Sequence, residues 1–152
     1  MDICPAAVLG GAVSRRRLAT VLWVAWLCWA VSMLWLSSLP PTELPQAAFL
    51  FSDKAEHLIA YAVGGWLAAT AIRASRRTAT ATGWFVPAVL LVAAFGALDE
   101  AVQTFTPGRT GGDLYDWIAD LLGALAGALV SLLVHRRGIA RRTGPAAGPM
   151  TG

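Results

Sequence analysis

The chain has 152 residues, of which 57% are hydrophobic and only 14% charged, and its mean hydropathy is +0.59. A soluble domain carries about 45–50% apolar and about 25% charged residues because its surface faces water, so this composition excludes an ordinary soluble protein and predicts a membrane protein. The low charge, and glycines without a three-residue period, also exclude a disordered or a collagen-like chain.

The first predicted span is the uncharged run Leu18–Leu36, which follows three consecutive arginines, Arg15 to Arg17. A run of this length is sufficient for a transmembrane helix. A secretory signal is the competing interpretation, but its apolar region is usually about 7–15 residues long and ends at a small-x-small cleavage site. The run is longer and no such site follows it, so we expect a retained membrane anchor.

Three further spans are predicted: Asp53–Ile72, Trp84–Thr104 and Asp113–Val134. About 20 residues at 1.5 Å per residue cross a hydrocarbon core of about 30 Å. The sequence therefore predicts an all-α polytopic membrane protein with four transmembrane helices. In this division, residues 1–17 form a short tail, 18–134 the membrane domain, and 135–152 a basic, disordered tail.

The basic residues predict the orientation. Of the twelve lysines and arginines, three precede the first span, three lie between the second and third spans, and four follow the fourth. By the positive-inside rule both termini are cytoplasmic, and the connections 37–52 and 105–112 face outwards. Because the arginines lie beside apolar runs and not along a soluble face, the calculated pI of about 9.4 does not predict a nucleic-acid partner.

The acidic residues gather at the opposite end of the spans. Seven of the nine lie there, together with two basic residues, which gives a formal net charge of −5 with the histidine neutral. Charges at the bilayer centre cost about 2.5–3.5 kcal/mol each and are rare unless they face one another or a wet cavity. The region is therefore a functional-site hypothesis. Its charged residues are Asp53, Lys54, Glu56, Asp99, Glu100, Arg109, Asp113, Asp116 and Asp120.

The start of the second span has both a structural and a functional interpretation. Asp53 and Glu56 match a capping box, in which Asp53 is the N-cap and Glu56 reaches back from the first turn. His57 lies four residues after Asp53 and four before Tyr61, so these three side chains share one helix face. A histidine on such a face is either a packing residue or part of a site, and the sequence leaves both open.

Asp99 and Glu100 lie near the C-terminal end of the third span, where the helix dipole disfavours anionic side chains. Capping cannot account for them, so they need cationic partners, protons or a bound cation. Gln103 is on the same face as Asp99. The alternatives are a structural ion pair with Arg109 or Lys54, and a role in handling a ligand or a proton.

The fourth span begins after a Pro-Gly and Gly-Gly loop, and Thr110 or Asp113 can cap it. From Asp113 onwards, acids and glycines follow a 3, 4, 3, 4 spacing that places them on one helix face. We expect the acids to face the bundle interior and the glycines to let another helix approach closely. The members of this row are Asp113, Asp116, Asp120, Gly123 and Gly127.

Three ordered motifs contain most of these polar residues. They are Ser52-Asp53-Lys54-x-x-His57-x-x-x-Tyr61, Asp99-Glu100-x-x-Gln103-x-Phe105-x-Pro107-Gly108-Arg109 and Asp116-x-x-x-Asp120-x-x-Gly123-x-x-x-Gly127. Here the chain resembles the VanZ-like family of small bacterial membrane proteins, over about residues 37–130. The position of Asp120 is often Asn in that family. The resemblance implies an envelope protein linked, through the family's namesake, to resistance against teicoplanin-type glycopeptide antibiotics; it implies no reaction.

Three hypotheses for mechanism stay open. The first is an envelope factor of the cytoplasmic membrane that acts on a glycopeptide antibiotic or on the lipid-linked cell-wall precursor that the antibiotic targets. The second is an intramembrane enzyme for a lipid-linked substrate. In it, His57 is the base and Asp53 orients it, either Asp99 or Glu100 is the acid, and Arg109 holds a phosphate or carboxylate. The third is a small transporter.

The candidate site divides by expected role. Catalytic candidates are His57, Asp99 and Glu100, and candidates for substrate binding are Asp53, Lys54, Tyr61, Gln103, Arg109, Asp116 and Asp120. We assign no cofactor and no metal ligands, although one histidine with several carboxylates suits a hard cation or a mixed site better than a structural zinc site. The expected partners are the lipid bilayer and a precursor or antibiotic, and a homo-oligomer is left open.

Overall fold

The computed structural model describes residues 5–44, 52–76, 80–109 and 111–143, with the backbone alone for 5–13 and 139–143. Four long helices and one short 3₁₀ turn make up the described chain, and these residues include no strand. The four helices are long and apolar enough to cross a membrane, which confirms the all-α fold class. The elements are α1 (Pro5–Ser37), the 3₁₀ turn (Pro41–Glu43), α2 (Asp53–Ser75), α3 (Ala81–Thr104) and α4 (Leu114–Thr143).

Two helices extend past the apolar runs that predicted them. α1 begins at Pro5, well before Leu18, and α4 continues to Thr143, beyond Val134. Residues 135–143 are therefore helical, and the prediction of disorder for them is wrong. Arginine and alanine are strong helix formers, so a helix can continue after the hydrophobic pattern has stopped. The rest of the predicted tail, 144–152, lies outside the described residues.

The start of α2 differs from the predicted capping box. Ser52 is the N-cap residue and Asp53 is the first residue of the helix, so the assignment of Asp53 as N-cap is wrong. The Ser52 side chain makes no capping hydrogen bond. The backbone carbonyl oxygen of Ser52 accepts from the amides of Ala55 and Glu56. Asp53 remains at the favourable, positive end of the helix dipole.

α2 and α4 make the most extensive contact in the bundle, and glycines permit it. Gly123 and Gly127 are buried. A Cβ added at Gly123 would overlap the carbonyl oxygen of Leu58, and one at Gly127 would overlap that of Ala62. The prediction of a close helix approach at these glycines is confirmed, and α2 is the partner.

α1 packs through tryptophans on one face and is apolar on the other. Trp26 and Trp29 are buried against Phe95 and Tyr61, and the indole of Trp29 donates to the carbonyl of Ala60 at 3.0 Å. The outward face carries exposed residues that suit contact with lipid tails. They include Leu18, Val21, Val24, Leu27, Val31 and Trp35.

The succession of helices divides the bundle into two chemically different ends. We call the end formed by the C-termini of α1 and α3 and the N-termini of α2 and α4 the acidic end. At the opposite, basic end, Arg15 of α1 donates to the carbonyl oxygens of Arg73, Ala74 and Arg76 at the end of α2. Unpaired carbonyls at a helix C-terminus are favourable acceptors for a guanidinium, so this contact fixes α1 against α2.

Candidate functional site

A set of buried carboxylates lies inside the acidic end. We call Asp99, Glu100, Asp116 and Asp120 the acidic cluster; their residues are 3%, 6%, 5% and 0% exposed. The first two come from the last turns of α3 and the others from the first turns of α4. The predicted inward orientation is therefore confirmed for Asp116 and Asp120, whereas Asp113 is only partly buried, and α3 delivers its two acids to the same place.

His57 of α2 joins this cluster through Asp120. Its Nδ1 lies 2.8 Å from Asp120 Oδ1, and the histidine side chain is 12% exposed. The ring stacks on Tyr61 at a centroid distance of 6.2 Å and an angle of 8°, which confirms their shared face. The hydrogen-bonded carboxylate that orients His57 is Asp120, so the prediction that Asp53 does this is wrong.

Lys54 lies at the rim of the site, where its side chain is 52% exposed. Its ammonium is 2.5 Å from Asp116 Oδ1 and 3.5 Å from Asp113 Oδ2, and it lies over the ring of Tyr115 at 5.9 Å. The acids that it pairs with are those of α4. The alternative in which Lys54 neutralises Asp99 or Glu100 of α3 is wrong.

Asp113 connects the start of α4 with α3. Its Oδ1 accepts the amide of Tyr115 at 2.7 Å, which confirms it as a cap of α4, while its own amide donates to Glu100 Oε2 at 3.0 Å. The hydrogen bond from Tyr115, with the nearby ammonium of Lys54, holds the pKa of Asp113 below its usual value. The other candidate cap, Thr110, lies outside the described residues.

The carboxylates of α3 have few partners. Asp99 Oδ2 is 3.5 Å from the amide nitrogen of Gln103, and Glu100 makes the bond to the Asp113 amide given above. Among the described residues, four buried side-chain oxygens of the site have no hydrogen-bond partner. They are Tyr61 Oη, Asp99 Oδ1, Glu100 Oε1 and Asp120 Oδ2. Buried polar groups are normally paired, so each of these oxygens needs an explanation.

Arg109 does not neutralise the acidic cluster. Its Nε donates to the carbonyl of Leu39 at 3.2 Å and its Nη2 to that of Leu36 at 3.0 Å, so the guanidinium ties the α3–α4 connection to the end of α1. The predicted ion pair with Asp99 or Glu100 is wrong. These contacts direct Nε and Nη2 of the guanidinium at the backbone, and the role of Arg109 in binding a phosphate or carboxylate stays a prediction.

Two residues of the site are absent from the predicted catalytic and binding residues. Asp113 was assigned to the acidic region and as a possible cap, but not to ligand binding, yet it contacts both Lys54 and Glu100; its position one turn before Asp116 was an available signal. Gly96 forms the wall of α3 next to Asp120, since a Cβ there would lie 2.8 Å from Asp120 Oδ2. Its place three residues before Asp99, on the same face, was the corresponding signal.

In the part of the chain that the structure describes, two groups of side chains have the composition and proximity to hold a cation. In one, His57, Glu100 and Asp120 each offer a ligand atom within 4.8 Å of the others; in the other, Asp53, His57 and Asp116 do so. The same arrangement of a histidine beside carboxylates can also move a proton. These are the two kinds of chemistry that the site supports.

A family model described as VanZ/LLP1 matches residues 20–135. No curated protein and no solved structure matches the chain. The matched region begins within α1 and ends within α4, and thus includes every residue of the site described above. The chain is a member of the VanZ/LLP1 family.

Proposed function

We propose that this protein is a bacterial envelope factor that lowers susceptibility to glycopeptide antibiotics of the teicoplanin type. Membership of the VanZ/LLP1 family supports the class of phenotype. The observation that carries the proposal is the acidic cluster, because four carboxylates buried at one end of a membrane bundle are costly and are retained for a function. The protein then acts where that end meets the membrane surface.

We place the acidic end at the outer face of the cytoplasmic membrane. The support is the excess of arginine at the basic end, which the positive-inside rule assigns to the cytoplasm. In this orientation both termini are cytoplasmic. A glycopeptide, and the lipid-linked precursor that it targets, reach the site from the outer leaflet without crossing the membrane.

The exposed rim is where a large ligand makes contact. Asp53 and Lys54 are exposed, and Tyr115 is 69% exposed beside them. The net negative charge of this end attracts a cationic group, and the aromatic ring offers it a face. The buried cluster is too enclosed to admit an antibiotic, so its role is to set the charge and rigidity of the rim or to bind a small ion.

The test is susceptibility in the native host after deletion and complementation. We expect deletion to lower the minimum inhibitory concentration of a teicoplanin-type antibiotic, the wild-type chain to restore it, and Asp99→Asn and Asp116→Asn to restore it poorly at equal membrane abundance. His135→Gln, at the basic end, is the matched control and should complement fully. Unchanged susceptibility after both deletion and overexpression contradicts the proposal.

A second candidate function is hydrolysis of a lipid-linked phosphate ester, which the His57–Asp120 pair favours. With Asp120 accepting from Nδ1–H, Nε2 of His57 is left to take a proton from water. The attacking water forms the new bond to phosphorus, and Glu100 donates a proton to the leaving alcohol. This is the enzyme hypothesis of the sequence, with Asp120 in place of Asp53 as the orienting carboxylate.

Phosphate release from polyprenyl phosphate or phosphatidic acid, two lipid phosphomonoesters, in mixed micelles tests this candidate. We expect His57→Gln to abolish release and His135→Gln to leave it unchanged. If purified, folded protein releases no phosphate from either class of lipid, the enzymatic candidate is rejected while the susceptibility proposal is unaffected.

A further inference from the structure

The deepest group of ligand-type atoms at the acidic end combines side chains of three helices. His57 comes from α2, Glu100 from α3 and Asp120 from α4, and their ligand atoms lie within 4.8 Å of one another. Small rotamer adjustments can close such a separation onto metal–ligand bonds of about 2.0–2.2 Å. Because the ligands come from three packed helices, the bundle itself holds them together.

The charges around this group are not balanced by the basic residues at that end. Lys54 is bound by Asp116 and Asp113, and Arg109 by the carbonyls at the end of α1. Within the described part of the chain, the partner of Asp120 is therefore the imidazole of His57, and neither Lys54 nor Arg109 reaches Glu100. Burying a carboxylate without a counter-charge costs several kcal/mol, so a cation at this point relieves a large penalty.

Two of the unpartnered oxygens belong to carboxylates of this group. Glu100 Oε1 and Asp120 Oδ2 are buried without a hydrogen-bond partner, in residues that are 6% and 0% exposed. Each of these carboxylates thus has one oxygen engaged, by the Asp113 amide or by His57, and one oxygen left as a ligand. A hard or borderline cation takes such oxygens together with an imidazole nitrogen.

We propose that His57, Glu100 and Asp120 bind a divalent cation of the first transition series, for which Mn²⁺ and Zn²⁺ are suitable probes. Three protein ligands leave coordination positions for water or another ligand. Asp99, whose Oδ1 is also unpartnered and whose other oxygen contacts Gln103, is close enough to Asp120 to interact with it electrostatically, and we assign it a supporting role outside the ligand set. The proposal depends neither on the antibiotic phenotype nor on catalysis.

The second group, Asp53, His57 and Asp116, is the weaker candidate for the same ion. Asp116 is already paired with Lys54 at 2.5 Å, and Asp53 is exposed. Binding there requires the ion to displace an ammonium and to compete with water. The deeper group requires neither, which is why we assign the ion to it.

The first experiment measures binding of Mn²⁺ or Zn²⁺ alone to the full-length protein in detergent after treatment with a chelator. Elemental analysis should return a stoichiometric ion in the wild type. Glu100→Gln and Asp120→Asn should weaken binding by more than about 100-fold, and Asp99→Asn by about 10–100-fold, as outer-shell changes do. Glu43→Gln, a carboxylate change in the 3₁₀ turn, is the control and should bind as the wild type does.

The second experiment needs no change in the site and so cannot fail through misfolding. The chain has two histidines, His57 and His135. In His135→Gln, a nitrogen coupling in the pulsed electron paramagnetic resonance spectrum of bound Mn²⁺ identifies His57 as a ligand. Any of three results overturns the proposal. They are the absence of stoichiometric binding of either metal, bound Mn²⁺ without this coupling, and wild-type affinity in folded Asp120→Asn.

Discussion

At the scale of single residues, the site is defined by which polar atoms are paired and which are not. Tyr61 illustrates this, because its ring and its hydroxyl have opposite effects on stability. The ring packs edge-on against Trp29 at 5.4 Å, while the hydroxyl oxygen is buried without a hydrogen-bond partner. The ring stabilises the bundle, and the hydroxyl costs free energy unless the neighbouring Asp99 or a ligand of the site pairs with it.

The change Tyr61→Phe separates these two effects. Removing an unsatisfied buried group recovers up to about 1–3 kcal/mol, so we expect the free energy of unfolding of the chelator-treated protein to stay the same or to rise by that amount. Thermal or denaturant unfolding in detergent measures it. Tyr115→Phe, at an exposed tyrosine, should have no effect. A clear loss of stability in Tyr61→Phe would mean that the hydroxyl has a partner in the protein.

Arg109 gives a second prediction at this scale. Its two hydrogen bonds to the end of α1 make it a structural residue, and charged hydrogen bonds contribute about 1.5–3 kcal/mol each. We expect Arg109→Gln to lower the free energy of unfolding by about that amount while leaving metal content unchanged. Arg136→Gln, exposed at the basic end, is the control. If the free energy of unfolding of Arg109→Gln is unchanged and the variant no longer binds an anionic ligand, the binding role predicted from the sequence is supported instead.

The partners of these residues could not be predicted from the sequence, for a physical reason. Helical periodicity identifies neighbours three and four residues apart, so it paired His57 with Asp53 and Tyr61. The partner that orients His57 is Asp120, and choosing it requires the rotation and depth of α4 against α2. The presence of a polar site was predictable, because charges in apolar runs are costly; its connections depend on tertiary packing.

At the scale of elements, the contact between α2 and α4 positions the site. His57 reaches Asp120 because Gly123 and Gly127 allow the two helices to approach closely, one and two turns beyond Asp120. The close approach could be predicted from the four-residue glycine spacing, but α2 as the partner could not. α2 also contributes a small residue to this contact, because Ala62 lies next to Gly127.

The change Gly127→Ala tests this contact. Its Cβ would overlap the carbonyl of Ala62, and overpacking of this kind costs about 1–3 kcal/mol. We expect lower stability together with weaker metal binding, because α4 moves away from His57. Gly138→Ala is a matched control on the same helix, with no atom within 4 Å of the added Cβ. It should stabilise the protein by about 0.5–1 kcal/mol; equal effects of the two changes would contradict the packing argument.

The ends of the elements were less predictable than their number. The apolar runs predicted four helices because each span needs about 20 apolar residues. Where a helix stops outside the membrane depends on local propensity and on contacts, which hydropathy does not report. α4 accordingly continues to Thr143, and the first residue of α2 is not its cap.

At the scale of the whole molecule, the two ends of the bundle predict its orientation in the membrane. Most of the described arginines lie at one end, where Arg15 also closes the C-terminus of α2, and the acidic cluster lies at the other, together with Arg109. Loops that carry lysine and arginine remain in the cytoplasm during insertion, whereas acidic residues have little influence. The acidic end should therefore face outwards, and single cysteines introduced at each end can report it.

In a background with Cys4→Ser and Cys28→Ser, we expect Phe105→Cys to react with a membrane-impermeant maleimide in intact spheroplasts. Phe105 is 86% exposed at the acidic end, whereas Gly138 lies exposed at the basic end. Gly138→Cys should react only after permeabilisation, and a cysteine-free chain should not react at all. The opposite pattern would place the acidic cluster at the cytoplasmic face. A glycopeptide outside the cell could then not reach the rim, and the susceptibility proposal would fail. The proposed metal site does not depend on the orientation of the bundle.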